Sequence, residues 1–249
     1  GSPAFELEGI ARHVSNRGLM KLILQRTLGE PVEGPFWLES ATWDEKLHGF
    51  LRLTHGHANY EEGRFGPEGA VYWISDDSGE RLLYRGDTVL TSSTTFKFGF
   101  CSSGELVSVE CNGEWDPYRI LCGQNCYELD SSVTHLERVP NSDQWVATSL
   151  EQLYRGRLDD LQSQGASSIR RFSLDPEGGV WHTGKGGLYR DDQLRYEGKS
   201  LDWPLWTPRG VLVTQWTAEK SRLLVVRDGQ KSVLWSGEGE WVRATCWAD

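Results

Sequence analysis

At 249 residues, with 38% apolar and 25% charged residues and 12 Trp, the chain can bury a sizeable core and falls outside the disordered class. A formal net charge of -10 repels phosphate backbones and anionic headgroups, so the sequence argues against nucleic acid and membrane surfaces as partners. No apolar run approaches the ~18 residues needed to span a bilayer and no segment resembles a signal peptide, which points to the cytoplasm, with Gly1 and Ser2 reading as a cloning scar.

From the N-terminus onward the chain repeats itself about every 35 residues. "AFELEG" from Ala4 reads as a strand, "RHVSNRGLMKLILQR" from Arg12 as two more, and "EPVEGPFWLES" from Glu30 as the first turn-and-strand copy. Plainer copies follow as "RFGPEGAVYWIS" from Arg64, "GFCSSGELVSVE" from Gly99, "FSLDPEGGVWHT" from Phe172 and "PLWTPRGVLVTQW" from Pro204, with "ERVPNSDQWVAT" from Glu137 a weaker one. Each has an apolar strand end, a tight turn of the Pro-X-Gly kind and an alternating strand rich in β-branched and aromatic residues.

A second signature follows after a short polar loop, as in "RLLYRGD" from Arg81 and "GLYRDD" from Gly187, so that Tyr84, Tyr118, Tyr154 and Tyr189 stand 34 to 36 positions apart. With the strands of a unit named A to D, the Pro-X-Gly turn joins A to B and the Tyr signature lies on C. B strands near residues 4, 36, 71, 106, 144, 179 and 211 make seven units, and the pattern predicts an all-β, seven-bladed propeller spanning residues 1–249. A six-bladed count with an N-terminal extension is the alternative. The terminal "EWVRATCWAD" reads as an A strand that completes a blade with N-terminal strands, a closure that removes exposed sheet edges.

The segment "SLDPEGGVWHTGKGGLYRDD", Ser173 to Asp192, resembles the repeat of bacterial regulator-type propellers and is similar to the Asp-box turn. The resemblance implies an architecture and no particular activity.

Five cysteines, an odd number in a chain too large to need staples, read as reduced and mostly buried thiols. Cys122 and Cys126 have no partner pair at zinc-finger spacing, and His55 and His57 with Glu61 and Glu62, placed in a C–D loop, lack a third ligand at defined spacing, so neither metal nor cofactor is expected.

Strand assignment sorts the candidate binding residues by face. B–C loops carry Trp43, Asp44 and Glu45; Asp76, Asp77 and Glu80; Glu114, Trp115 and Asp116; Glu151; and Trp216 with Glu219. Such an acidic, Trp-bearing rim suits a protein partner with a basic surface, or a glycan stacked on Trp. Lys97, His135, Arg171 and Arg243 fall early on A strands, at the channel mouth, where they either meet a polar ligand or pair with carboxylates such as Glu137. No nucleophile elbow, phosphate loop or marked carboxylate pair is present. The sequence therefore predicts a non-catalytic protein-interaction scaffold, with a carbohydrate or small-ligand propeller as the alternative and a lyase or hydrolase at the channel mouth behind it.

Overall fold

Strands adjacent in sequence pair in runs, and the last strand returns to the first, giving sheets of four antiparallel strands. The computed structural model describes residues 19–28, 35–56, 58–113, 118–128, 133–217 and 220–248. The first blade takes β1 (Met20–Leu28), β2 (Trp37–Trp43) and β3 (Leu47–Arg52). The second has β4 (Tyr60–Phe65), β5 (Val71–Ser75), β6 (Leu82–Arg85) and β7 (Thr88–Val89), and the third has β8 (Thr94–Phe100), β9 (Leu106–Cys111), β10 (Arg119–Cys122) and β11 (Asn125–Glu128). The fourth comprises β12 (His135–Arg138), β13 (Trp145–Thr148), β14 (Gln152–Arg157) and β15 (Asp160–Ala166), and the fifth β16 (Phe172–Leu174), β17 (Val180–Gly184), β18 (Gly187–Arg190) and β19 (Gln193–Glu197). The sixth has β20 (Leu201–Thr207), β21 (Gly210–Trp216), β22 (Lys220–Arg227) and β23 (Gln230–Glu238). The last strand, β24 (Glu240–Ala248), returns to pair with β1 and completes the first blade.

The described residues thus form a six-bladed propeller, not a seven-bladed one. The expected closure by a C-terminal A strand holds, but its B-strand partner is β1, inside the segment read as C and D strands. The chain from Trp37 is a C strand, not a B strand, and "AFELEG" lies outside the described residues. The physical reason is burial on both faces. Met20, Leu22 and Leu24 pack toward the sixth blade while Ile23 packs toward the second, so β1 shows a continuous apolar run instead of alternation.

Apolar clusters fill the seams around the ring. Leu188 with Val211 and Val213 joins blades five and six, Leu212 with Leu22 and Val242 joins six and one, and Ile23 with Tyr60 and Val71 joins one and two. Ile74 with Phe98, Val109 with Leu136, and Val146 with Phe172 continue the series back to blade five. No blade buries its faces alone, so stability is a property of the closed ring.

The repeated motif is turn chemistry. Gly69 and Gly178 sit at φ 74° and 82°, where a side chain is disfavoured, and each N–H closes the A–B turn onto the carbonyl three residues back, at 2.9 Å. In the fifth blade Asp175 Oδ1 accepts the N–H groups of Glu177 (3.1 Å) and Gly179 (2.8 Å), while Oδ2 accepts Trp181 Nε1 (3.0 Å) and Arg190 Nε (2.6 Å). The Arg of the Tyr-Arg signature reaches the same turn in the second blade, where Arg85 pairs with Glu68 at 2.6 Å. Of the cysteines, Cys111 and Cys122 are buried, but Cys126 is exposed.

Candidate functional site

The B–C and D–A loops share one end of the ring, and the structure sorts the predicted rim residues into two groups. Asp77, Glu80 and Glu151 are exposed in B–C loops, and Trp216 is half-buried where β21 enters such a loop. Asp76 is half-buried and structural, its carboxylate accepting Asn59 N at 2.7 Å and Asn59 Nδ2 at 2.8 Å. Glu114, Trp115, Asp116 and Glu219 lie outside the described residues.

Trp43, Asp44 and Glu45 belong to the opposite end. Because β2 is a C strand, the turn after it is a C–D turn, and Arg209 of the sixth blade's A–B turn donates to Trp43 O (3.0 Å) and Asp44 O (2.6 Å). Trp43 is 4% exposed within the core between blades six and one, so it offers no rim aromatic. His55 moves the other way: it lies in a D–A connection, not a C–D loop, and accepts Tyr60 Oη at its carbonyl (2.7 Å), while His57 lies outside the described residues.

The A strands line the channel; Lys97, His135 and Arg243 lie on β8, β12 and β24, whereas Arg171 is exposed and immediately precedes β16. Lys97 Nζ lies 2.6 Å from Glu62 Oε1, and Arg243 donates to the same oxygen at 3.1 Å and to Gln25 Oε1 at 3.0 Å. Arg64 forks onto Glu137, one arm at 2.9 Å, with His135 Nε2 3.4 Å from the same carboxylate. Arg171 pairs with Asp202 at 2.8 Å.

Four of the six described A strands carry a register shift, at Glu61/Arg64, Thr95/Lys97, Asp202/Leu205 and opposite Ile23/Leu24. These bulges re-aim side chains out of strict alternation. Glu62 (φ 53°) and Trp203 (φ 54°) occupy two of them in the left-handed region, a conformation that costs on the order of 1–3 kcal/mol and that the surrounding contacts must hold. Sequence reasoning missed Trp203 and the channel roles of Glu62 and Arg64, since nothing in the residue pattern marks a bulge.

Burial and pairing set the protonation states. Burial raises the Glu62 carboxyl, but Lys97 and Arg243 outweigh it and hold the group well below its ordinary value. Burial likewise opposes Glu137, which Arg64 and His135 draw down to about 2. The imidazole of His135 is lowered by burial and by the Lys97 charge, and neither ring nitrogen makes a hydrogen bond of good geometry. The cavity lined by Glu62, Arg64, His135, Glu137 and Arg243 with Arg171 and Trp203 measures only about 30 Å³, the space of a water molecule.

Outside that plug, between the sixth blade and the closing blade, a cleft of about 510 Å³ opens on the face of the B–C and D–A loops. Phe36, Trp203, Trp216 and Trp241 supply its aromatic lining, and Gln25, Glu61, Arg171, Asp202 and Arg243 its polar groups. Two guanidiniums lie over the Trp203 ring, Arg171 at 3.6 Å and Arg243 at 3.4 Å from the ring centre. A second hollow, of about 320 Å³, includes His55, Trp73, Asp77 and Tyr84.

No family model matches the chain, and no curated protein matches it. Among solved structures it is similar to TolB from Acinetobacter baumannii, with a TM-score of 0.68 at 15% identity over 91% of this chain and 66% of that one, just under two thirds of its length. It is similar to a chain of a nidogen/laminin complex, with a TM-score of 0.67 at 9% identity over 91% of this chain and 97% of that one. A protein from Lactobacillus plantarum gives 0.50 at 10% identity over 91% and 98% of the two chains. At these identities the likeness is one of fold, and that fold is the β-propeller.

Proposed function

We propose that the chain is a non-catalytic interaction module that holds a protein partner, through a basic surface on that partner, on the face formed by its B–C and D–A loops. One contrast carries the reading. The titratable groups of the channel are consumed by one another around about 30 Å³, whereas the face presents the exposed carboxylates Asp77, Glu80 and Glu151. His135 faces Glu137 at 3.4 Å without a hydrogen bond of good geometry, and its cavity admits water and not a substrate. Likeness to a chain from a nidogen/laminin complex supports a binding role for a disc of this shape.

The test is capture of partners from the source lysate by the wild-type protein and by an Asp77→Asn/Glu80→Gln/Glu151→Gln variant. Charge pairing between exposed groups weakens as the screening length falls from about 10 Å at 0.1 M salt to about 3 Å at 1 M. A partner should therefore elute with salt and be poorly retained by the variant, and hydrogen exchange on the complex should protect residues 76–81 and 149–151. Retention by the variant in high salt, or protection of residues 44–46 at the other end, would overturn the reading.

A further inference from the structure

The cleft at the seam of blades six and one is a built site whose chemistry differs from that of the acidic loops around it. Its three tryptophans are not equivalent. Trp203 is stacked by two guanidiniums, and Trp241 is 3% exposed with Phe36 and Trp203 set against it edge-on at 5.9 and 6.2 Å. Trp216 is half-buried, lines the cleft and has no ring or cation contact among the described residues, so its indole is the candidate stacking platform.

Unspent polar groups surround that platform. Gln25 is 2% exposed and lines the cleft; its Oε1 accepts from Arg243, and no hydrogen bond engages its Nε2 among the described residues. An amide N–H at the wall of an open cleft is available to a ligand that accepts from it. Glu61 commits one carboxylate oxygen to Arg81 at 2.9 Å and keeps the other. Arg171 and Asp202, 44% and 45% exposed, pair at the lip at 2.8 Å, and Asp202 Oδ1 also accepts Trp203 N at 2.8 Å, so further bonds there come from the remaining guanidinium N–H groups and carboxylate lone pairs.

These features select among ligand classes. A cation would lie beside Arg171 and Arg243, and an anion beside Glu61 and Asp202, so neither charge sign is favoured. A proline-rich segment offers carbonyl acceptors but few donors and would leave the carboxylates unmatched. A hydroxyl both donates and accepts, and a pyranose ring presents an apolar C–H face edged with hydroxyls. The volume falls within the range of small-ligand sites. We propose that this cleft binds a neutral carbohydrate, with one sugar ring stacked on Trp216 and its hydroxyls shared among Gln25, Glu61 and the Arg171–Asp202 pair. The site goes beyond the protein-partner reading and does not depend on it.

The test titrates methyl glycosides of glucose, galactose and mannose, and their short oligosaccharides, into the ¹⁵N-labelled protein while following the indole N–H resonances, with W216F assigning its own. At least one sugar should give saturable shifts of Trp216 that persist at high salt, and W216A should weaken that binding about tenfold, the worth of one stacking platform. Arg171→Ala, on an exposed side chain, should weaken it as well and serves if W216A does not fold. No saturable shift up to tens of millimolar, or binding that neither variant weakens, would overturn the proposal. Should capture yield a glycosylated partner, its enzymatic deglycosylation separates the sources: lost retention identifies a partner-borne glycan, and unchanged retention with sugar binding intact identifies free saccharide. Salt-sensitive capture can fail while sugar binding stands, and the reverse, so the two readings fall separately.

Discussion

The channel plug and the seam cleft share three side chains, Arg171, Trp203 and Arg243, yet they have opposite characters. On the channel side Glu62 and Glu137 are each claimed by buried cations, and about 30 Å³ remains. On the cleft side the same guanidiniums stack on an indole, while Gln25, Glu61 and Trp216 keep capacity in reserve around about 510 Å³. Residues that look alike in sequence thus divide into architecture and site by whether their partners are already present. Desolvated charges whose partners all belong to the chain hold the hub together, and recognition falls to groups left incomplete.

The comparison breaks most completely if β24 is removed, because it supplies Arg243 to both regions and Trp241 to the cleft. Deleting residues 240–249 strips β1 of eight paired residues and leaves an open edge in place of a ring. Circular dichroism and size exclusion should show loss of a cooperative melt and association of the product. A monomeric, cooperatively melting truncation would mean that five complete blades suffice.

Glu62→Gln separates the two regions next. Lys97 and Arg243 would stay buried with their shared anion gone, a defect worth about 3–5 kcal/mol in urea unfolding. Lys97→Met added to it should recover part of the loss, since one of the stranded charges is then absent. A cost within about 0.5 kcal/mol for the single variant would show that the network is not holding the hub.

Acid probes the other half of the plug. Glu137 is depressed from an ordinary 4.5 to about 2, so its contribution is full above pH 4.5 and is lost as pH falls toward 2, on the order of 3 kcal/mol in total. His135 is lowered from 6.5, so the unfolded chain takes up its proton first and stability also declines as pH drops below 6.5. Both signs agree. In Glu137→Gln the steep fall between pH 4.5 and 2 should flatten; an unaltered profile would assign acid sensitivity elsewhere.

How much of this was legible depended on whether the determinant was local. The fifth blade reads directly because Asp175, Gly178 and Arg190 complete one turn within 16 consecutive residues, and Asp175→Ala should cost about 2–3 kcal/mol through its stranded donors, measured by thermal or urea unfolding. The first blade does not read, because its A strand comes from the other end of the chain and β1 is apolar on both faces. Counting "EPVEGP" as an A–B turn then turned β2 into a B strand and carried Trp43 to the wrong end. In the hub, Lys97, His135 and Arg243 follow strand position, whereas Glu62 and Trp203 depend on bulges with positive φ that alternation cannot foresee.

The smallest expected effect sharpens the comparison of the two ends. Glu45 and Glu151 are both exposed acids in short loops, but Glu45 lies at the C–D end and Glu151 at the B–C end. Glu45→Gln and Glu151→Gln remove the same charge and should each change stability by no more than about 0.5 kcal/mol. If the partner is read by a face, only Glu151→Gln weakens its capture, by the small amount expected of one exposed pair. If both variants weaken capture equally, the total charge of the chain is what attracts the partner, and placement of the interface on the B–C and D–A loops fails even though the fold stands.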